Sequence, residues 1–176
     1  MNLPNKLSLM RMALIPAIVA LMIPCDAVCT RIALVVYAVA AFTDFLDGYI
    51  ARRDHIVTDF GKFIDPVADK LLNMSALIML SHPGLLPAWV SVVILARELC
   101  VDGLRMVAVG QGRVIAAGKL GKIKTVSQIV LVVWLMLSLQ PVTHAVSFVL
   151  TAWVVIITLW SGVDYLVRNK DCIKNA

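Results

Sequence analysis

The sequence predicts an all-α integral membrane protein of six transmembrane helices, and three observations carry that reading. Of the 176 residues 61% are hydrophobic, with a mean hydropathy of +0.91, far too apolar for a soluble globular domain. The apolar residues gather into six stretches, about 7–24, 30–51, 62–81, 85–109, 120–140 and 143–167, each close to the roughly 20 residues that cross a hydrocarbon core as a helix. These six use almost the whole chain, which therefore reads as a single membrane-embedded domain over residues 1–176, with no room for a soluble domain and no internal repeat.

The first stretch follows the opening Asn2-Leu3-Pro4-Asn5-Lys6-Leu7-Ser8-Leu9-Met10-Arg11, where a Pro-Asn break gives way to apolar residues interspersed with Lys6 and Arg11. That pattern suits a short amphipathic helix lying in the interface ahead of the first span. No small-x-small cleavage site follows, and Pro24 directly before Cys25 makes a poor lipobox. The stretch is read as a mature helix rather than a signal peptide.

The second and third stretches hold the densest chemistry. Asp44-Phe-Leu-Asp47-Gly48-Tyr-Ile-Ala51-Arg52 is followed, after eight residues, by Gly61-Lys-Phe-Ile-Asp65-Pro-Val-Ala-Asp69. Asp44 and Asp47 are three apart and Asp65 and Asp69 four apart, so on helices each pair shares a face. Two helices joined by the short turn 53–61 can bring the pairs together. Four like charges in one small volume repel, so either some protonate or a cation neutralises them. Oxygen donors at this density suit magnesium or manganese, whereas zinc recruits His or Cys. Asp44, Asp47, Asp65 and Asp69 are therefore read as a divalent-metal site. Pro66 is placed in the first turns of the third span, where a missing N–H is tolerated. Asp54 and Asp59 are taken as solvated loop charges and His55 as a surface histidine.

The spacing Asp-x2-Asp-Gly-x2-Ala-Arg-x8-Gly-x3-Asp-x3-Asp, complete in this chain, resembles the signature of the CDP-alcohol phosphotransferase family. The resemblance implies a divalent-metal-dependent enzyme that acts on a CDP-linked alcohol. It implies that the last aspartate, Asp69, is the catalytic base as well as a helper to the metal. It implies further that Gly48, Ala51, Arg52 and Gly61 shape the pocket for the nucleotide of the CDP-lipid, with Thr58 donating a hydroxyl hydrogen bond. The small side chains of Gly48 and Ala51 let a ligand approach the helix backbone, and Arg52 offers a guanidinium to phosphate. The Pro-Asn-x-Leu-Ser-x2-Arg opening is also similar to the family's and adds Asn5 to the nucleotide site. Homodimers are expected on the same ground.

The fourth stretch carries Arg97, Glu98, Asp102 and Arg105. At about 100° per residue Glu98, Asp102 and Arg105 fall on one face, with Arg97 beside it. Two readings stand together here, an internal salt-bridge ladder between helices and a substrate role. Beyond it come Gly110, Gly112, Gly118 and Gly121 among Arg113, Lys119, Lys122 and Lys124, ahead of a new helix. Glycines before a helix N-terminus favour anions, though the spacing is not that of a Walker A loop and no strand precedes it. Arg97, Arg105, Arg113, Lys119, Lys122 and Lys124 are the candidates for the phosphate of a small acceptor. The Arg-Glu-x6-Arg and Gly-Lys-x-Lys-Thr patterns narrow the resemblance toward the phosphatidylglycerophosphate synthase branch.

The last two stretches are apolar, with Trp134, Trp153, Trp160 and Tyr165 as packing or interfacial residues and Asp164 pairing locally. Cys25 and Cys29 fall near one another on the outer side and leave a disulfide open; Cys100 is read as buried packing and Cys172 as an exposed tail residue. Lys6, Arg11, Arg52, Arg53, Lys62, Arg113, Lys119, Lys122, Lys124, Arg168, Lys170 and Lys174 collect on one side, against Arg31 alone on the other. The positive-inside rule puts both termini and the metal site in the cytoplasm, in a multi-pass protein of the cytoplasmic membrane if the source is bacterial. The net charge of +5 then answers to anionic headgroups and phosphates, with no nucleic acid invoked.

The resulting expectation is transfer of the phosphatidyl group from CDP-diacylglycerol to sn-glycerol 3-phosphate, releasing CMP. Inositol phosphate is the alternative acceptor. A divalent-cation or proton transporter is the alternative of another class, opposed by the nearly uncharged outer halves of all six stretches.

Overall fold

The computed structural model describes residues 3–53, 59–111 and 118–170, with side chains described over 7–43, 61, 64–111, 118 and 120–170. Among the described residues the chain is all helical: α1 Leu3–Met22, α2 Ala27–Arg53, α3 Asp59–Ser81, α4 Ala88–Gly110, α5 Lys119–Ser138 and α6 Ala145–Arg168. Two of them, over Leu120–Ser138 and Ala145–Arg168, are long and apolar enough to cross a membrane.

Several boundaries differ from the sequence reading, each for a local reason. α1 is unbroken from Leu3, so no separate amphipathic helix precedes it; Pro4 sits in the first turn, where its missing N–H costs nothing. α2 begins at Ala27 because Asp26 caps it, its carboxylate accepting from the main-chain N–H of Val28 (2.9 Å) and Cys29 (3.2 Å). α2 runs to Arg53 and α3 begins at Asp59, so Asp59 is the first residue of α3 rather than a loop residue. Pro66 consequently falls beyond the first turn of α3 and denies the Lys62 carbonyl its i+4 donor. Gly84 adopts φ +74° in the turn that follows α3, a conformation open to glycine at no steric cost. Pro87 stands at the N-cap of α4.

The helices form two compact units. The first, Met1–Leu86 with Val132–Leu139, contains α1, α2, α3 and the last turns of α5. Here α1 packs on both α2 and α3, and α2 on α3. Ala33, Tyr37 and Ala40 of α2 and Ala68, Leu72 and Ala76 of α3 are buried at three- and four-residue spacing, the alanines allowing close helix approach. The second unit, Pro87–Leu131 with Gln140–Ala176, contains α4, the first turns of α5 and α6, with Val101, Leu104, Ala108 and Tyr165 as a buried cluster. The buried face of α6 includes Ser147, Thr151, Thr158, Ser161 and Gly162, while Phe148, Val149, Trp153, Trp160 and Val163 are exposed. Val154, Ile157 and Tyr165 share that buried face, but a face so rich in small and hydroxylated residues, with large apolar ones outside, departs from the pattern of a water-soluble bundle.

Cys25 and Cys29 are both free thiols, so no disulfide joins them. Cys100, read from sequence as buried, is exposed. The neighbouring Arg97, Glu98 and Val101 take the inward face of α4, which turns Cys100 outward beside the exposed Leu99. Cys172 lies outside the described residues.

Candidate active site

The carboxylate signature straddles the end of α2 and the start of α3, which only five residues separate. Asp44, Asp47, Gly48, Ala51 and Arg52 lie on the last turns of α2, and the helix continues through all of them, as their spacing requires. Their side chains, with that of Asn5, lie outside the described residues, as does Thr58. Gly61 is buried in the first turn of α3.

Asp65 and Asp69 are described, and each is held by a polar partner. Ser8 of α1 donates its hydroxyl to Asp65 Oδ1. Asn73, one turn beyond Asp69, donates from Nδ2 to Asp69 Oδ1 and to the Asp69 carbonyl, both at 3.0 Å. Asn73 Oδ1 in turn accepts from the Tyr37 hydroxyl at 2.6 Å. Ser8, Tyr37 and Asn73 are all buried, and so is Arg11, one turn after Ser8 on α1. Ser8 and Arg11 belong to the Pro-Asn-x-Leu-Ser-x2-Arg opening, of which the sequence singles out Asn5 alone as a site residue, and Tyr37 and Asn73 were not selected from sequence. Asn73 offered a signal, its i+4 relation to Asp69; Tyr37 offered none until α2 and α3 were packed.

Among the described residues no group of three or more His, Cys, Asp or Glu assembles as a metal cage, since only two of the four signature carboxylates have described side chains. The donor chemistry fits a hard divalent cation: two carboxylates a turn apart, each with one oxygen already oriented by a neutral donor, which is how ligand carboxylates are held.

The proposed acceptor residues belong to the second unit. Glu98 Oε1 accepts from Arg97 Nη1 at 3.0 Å and also from Lys124 Nζ, so the ladder reading holds at this point. Lys124 is buried, its side chain 3% exposed, and the trio carries one net positive charge. The Arg97 stem lies against Gly162, where a Cβ would come within 3.1 Å of its Cγ. Arg105, about 12 Å further along the helix by rise per residue, turns elsewhere: its Nε donates to the Tyr165 hydroxyl at 3.2 Å, and its guanidinium carbon is 5.7 Å from the Tyr165 ring centre, within cation–π range. The structure thus joins Arg97 to Lys124 through Glu98 and gives Arg105 a different partner. Lys122 is exposed, and Arg113 and the Lys119 side chain lie outside the described residues. Asp164 pairs with Arg168 at 2.7 Å. Trp153 Nε1 donates to Ser127 at 3.0 Å.

A family model described as CDP-alcohol phosphatidyltransferase matches residues 1–160. The chain belongs to this family. It is 44% identical over 191 aligned residues to a Bacillus subtilis protein named CDP-diacylglycerol–glycerol-3-phosphate 3-phosphatidyltransferase, covering 99% of this chain and 98% of that one. Proteins of the same name from Salmonella typhimurium and Shigella flexneri are 33% and 34% identical, each match covering 94% of this chain and 93% of the relative. Membership makes the chain an enzyme and gives the aspartate signature its context.

Proposed function

We propose that the chain transfers the phosphatidyl group of CDP-diacylglycerol to the primary hydroxyl of sn-glycerol 3-phosphate, forming phosphatidylglycerophosphate and CMP. The observation that carries this reading is on α3: Asp65 and Asp69 one turn apart, each with a carboxylate oxygen held by a buried polar side chain. The names of the relatives supply donor and acceptor.

Asp44, Asp47 and Asp65, with help from Asp69, would hold magnesium or manganese; such an ion, when bound, neutralises charge on the reacting phosphoryl group and on the departing CMP. Asp69 takes the proton of the acceptor hydroxyl. That oxygen forms a new bond to the phosphatidyl phosphorus as the bond from this phosphorus to the bridging oxygen breaks, and the electron pair leaves with CMP. Asn5, Gly48, Ala51, Arg52, Thr58 and Gly61 receive the nucleotide. Arg97, Arg105, Arg113, Lys119, Lys122 and Lys124 receive the acceptor phosphate, with Glu98 orienting two of them.

The proposal includes the setting. A single domain crosses the bilayer six times, with both termini and the site facing the cytoplasm, and works as a homodimer. The burial pattern of α6 and the one-sided basic residues support a lipid environment.

The test is CMP release by the purified protein in detergent with magnesium and CDP-diacylglycerol, comparing sn-glycerol 3-phosphate, inositol phosphate, serine and no acceptor. Release with sn-glycerol 3-phosphate alone is expected. Release with another acceptor would overturn the basic-pocket assignment while keeping the phosphotransfer chemistry.

A further inference from the structure

Asn73 is 6% exposed and Tyr37 wholly buried, and together they form a hydrogen-bonded chain that ends on Asp69. Its direction is dictated by chemistry. The atoms presented by Asp69, a carboxylate oxygen and a main-chain carbonyl, only accept, so the Asn73 amide nitrogen must face them. The amide oxygen then faces α2, where the Tyr37 hydroxyl is the donor. A lone asparagine amide can turn over at little cost. Turned over here, its oxygen would meet the carboxylate oxygen, and its nitrogen would displace the tyrosine proton from its acceptor.

We propose that Asn73 is a positioning residue for the transfer reaction, fixing the rotamer of Asp69, and that Tyr37 acts through it by locking the amide. The inference rests on the reading of Asp69 as the base. A carboxylate on an isolated helix position samples several rotamers, and a base must lie within hydrogen-bond reach of the proton it takes. Pinning Oδ1 from the next turn, by an amide itself held from the neighbouring helix, removes that freedom before substrate arrives. Misplacement of a reacting group by about 1 Å can cost on the order of 10²-fold in rate.

The experiment measures CMP release at saturating magnesium for Asn73→Ala, Asn73→Asp, Tyr37→Phe and the Tyr37→Phe/Asn73→Ala pair. Asp69→Asn runs in parallel, and rates are normalised to folded protein by size exclusion and thermal unfolding. Asn73→Ala is expected to lower kcat about tenfold or more, with KM for both substrates within about twofold, because the loss is of orientation and not of binding. Asn73→Asp, equal in shape but with an acceptor in place of the donor, is expected to fall as low. Tyr37→Phe should lower kcat in the wild-type background and add nothing in the Asn73→Ala background, the mark of a residue acting through another. Wild-type kcat per folded molecule in Asn73→Ala, or an equal Tyr37→Phe effect in both backgrounds, would overturn the proposal. If the Asn73 variants do not fold, Tyr37→Phe, which removes one oxygen, decides alone: an unchanged kcat overturns it. Turnover retained by Asp69→Asn would sink the reading of the base itself; an inactive Asp69→Asn beside a fully active Asn73→Ala would sink the positioning role only.

Discussion

Asp65 and Asp69 are chemically alike but held differently, and the difference predicts different phenotypes. Asp69→Asn keeps the size of the side chain and removes the proton acceptor. CMP release should fall by at least about 10²-fold, the typical contribution of a positioned base, while the thermal unfolding midpoint stays near that of the wild type. A transport role for the same carboxylates predicts no such dependence, so retained turnover would count against the assignment. Ser8→Ala removes the hydroxyl that holds Asp65 Oδ1. Outer partners of metal ligands typically contribute about 10- to 100-fold in affinity, so the magnesium concentration for half-maximal activity should rise about tenfold with kcat at saturation little changed; an unmoved midpoint would disprove the link. The carboxylates were legible because ionised groups at helical spacing in apolar sequence demand a reason. Ser8 and Tyr37 were not, because a hydroxyl in an apolar helix has no direction until the packing of α1, α2 and α3 supplies one.

At the scale of the element, α4 shows how a helix of mostly apolar residues keeps charges. Glu98 accepts from two cations, Arg97 and Lys124, and the three side chains are 12%, 11% and 3% exposed. Removing the shared anion leaves two buried positive charges facing each other, and breaking such a pair costs about 3–5 kcal/mol. Glu98→Ala should therefore lower the unfolding midpoint markedly, whereas Arg168→Ala, which breaks an exposed pair with Asp164, should cost no more than about 0.5 kcal/mol. Equal effects in the same denaturation series would show that the α4 network is not structural. The existence and order of all six helices were legible in the apolar runs, because only length and hydropathy were needed. Their ends were not: Asp26 and the unbroken start of α1 moved boundaries by rules that an apolar count does not see. Cys100 went astray for a similar reason, since the tendency of cysteine to be buried yielded to the charged residues that claimed the inner face of α4.

For the molecule as a whole, the proposed topology makes a prediction that the thiols of the chain can test. Cys25 is a free, exposed thiol just after α1, placed on the outer side by the scarcity of basic residues there. Cys172 follows the last helix on the basic side. Between these two positions lie α2 to α6, five helices, and an odd number of crossings puts the cysteines on opposite sides. Variants that retain only Cys25 or only Cys172 would be treated, in right-side-out vesicles, with a maleimide that cannot cross the bilayer. Cys25 should label at once and Cys172 only after the vesicles are opened. The reverse pattern would keep the five crossings and turn the protein over, placing the aspartate site away from the compartment assigned to it. Labelling of both from the same side would require an even number of crossings, so at least one of α2 to α6 would not traverse the membrane. The helices to suspect then are α2, α3 and α4, because their charged residues make them costlier to place in lipid than α5 or α6 unless neighbouring helices enclose them.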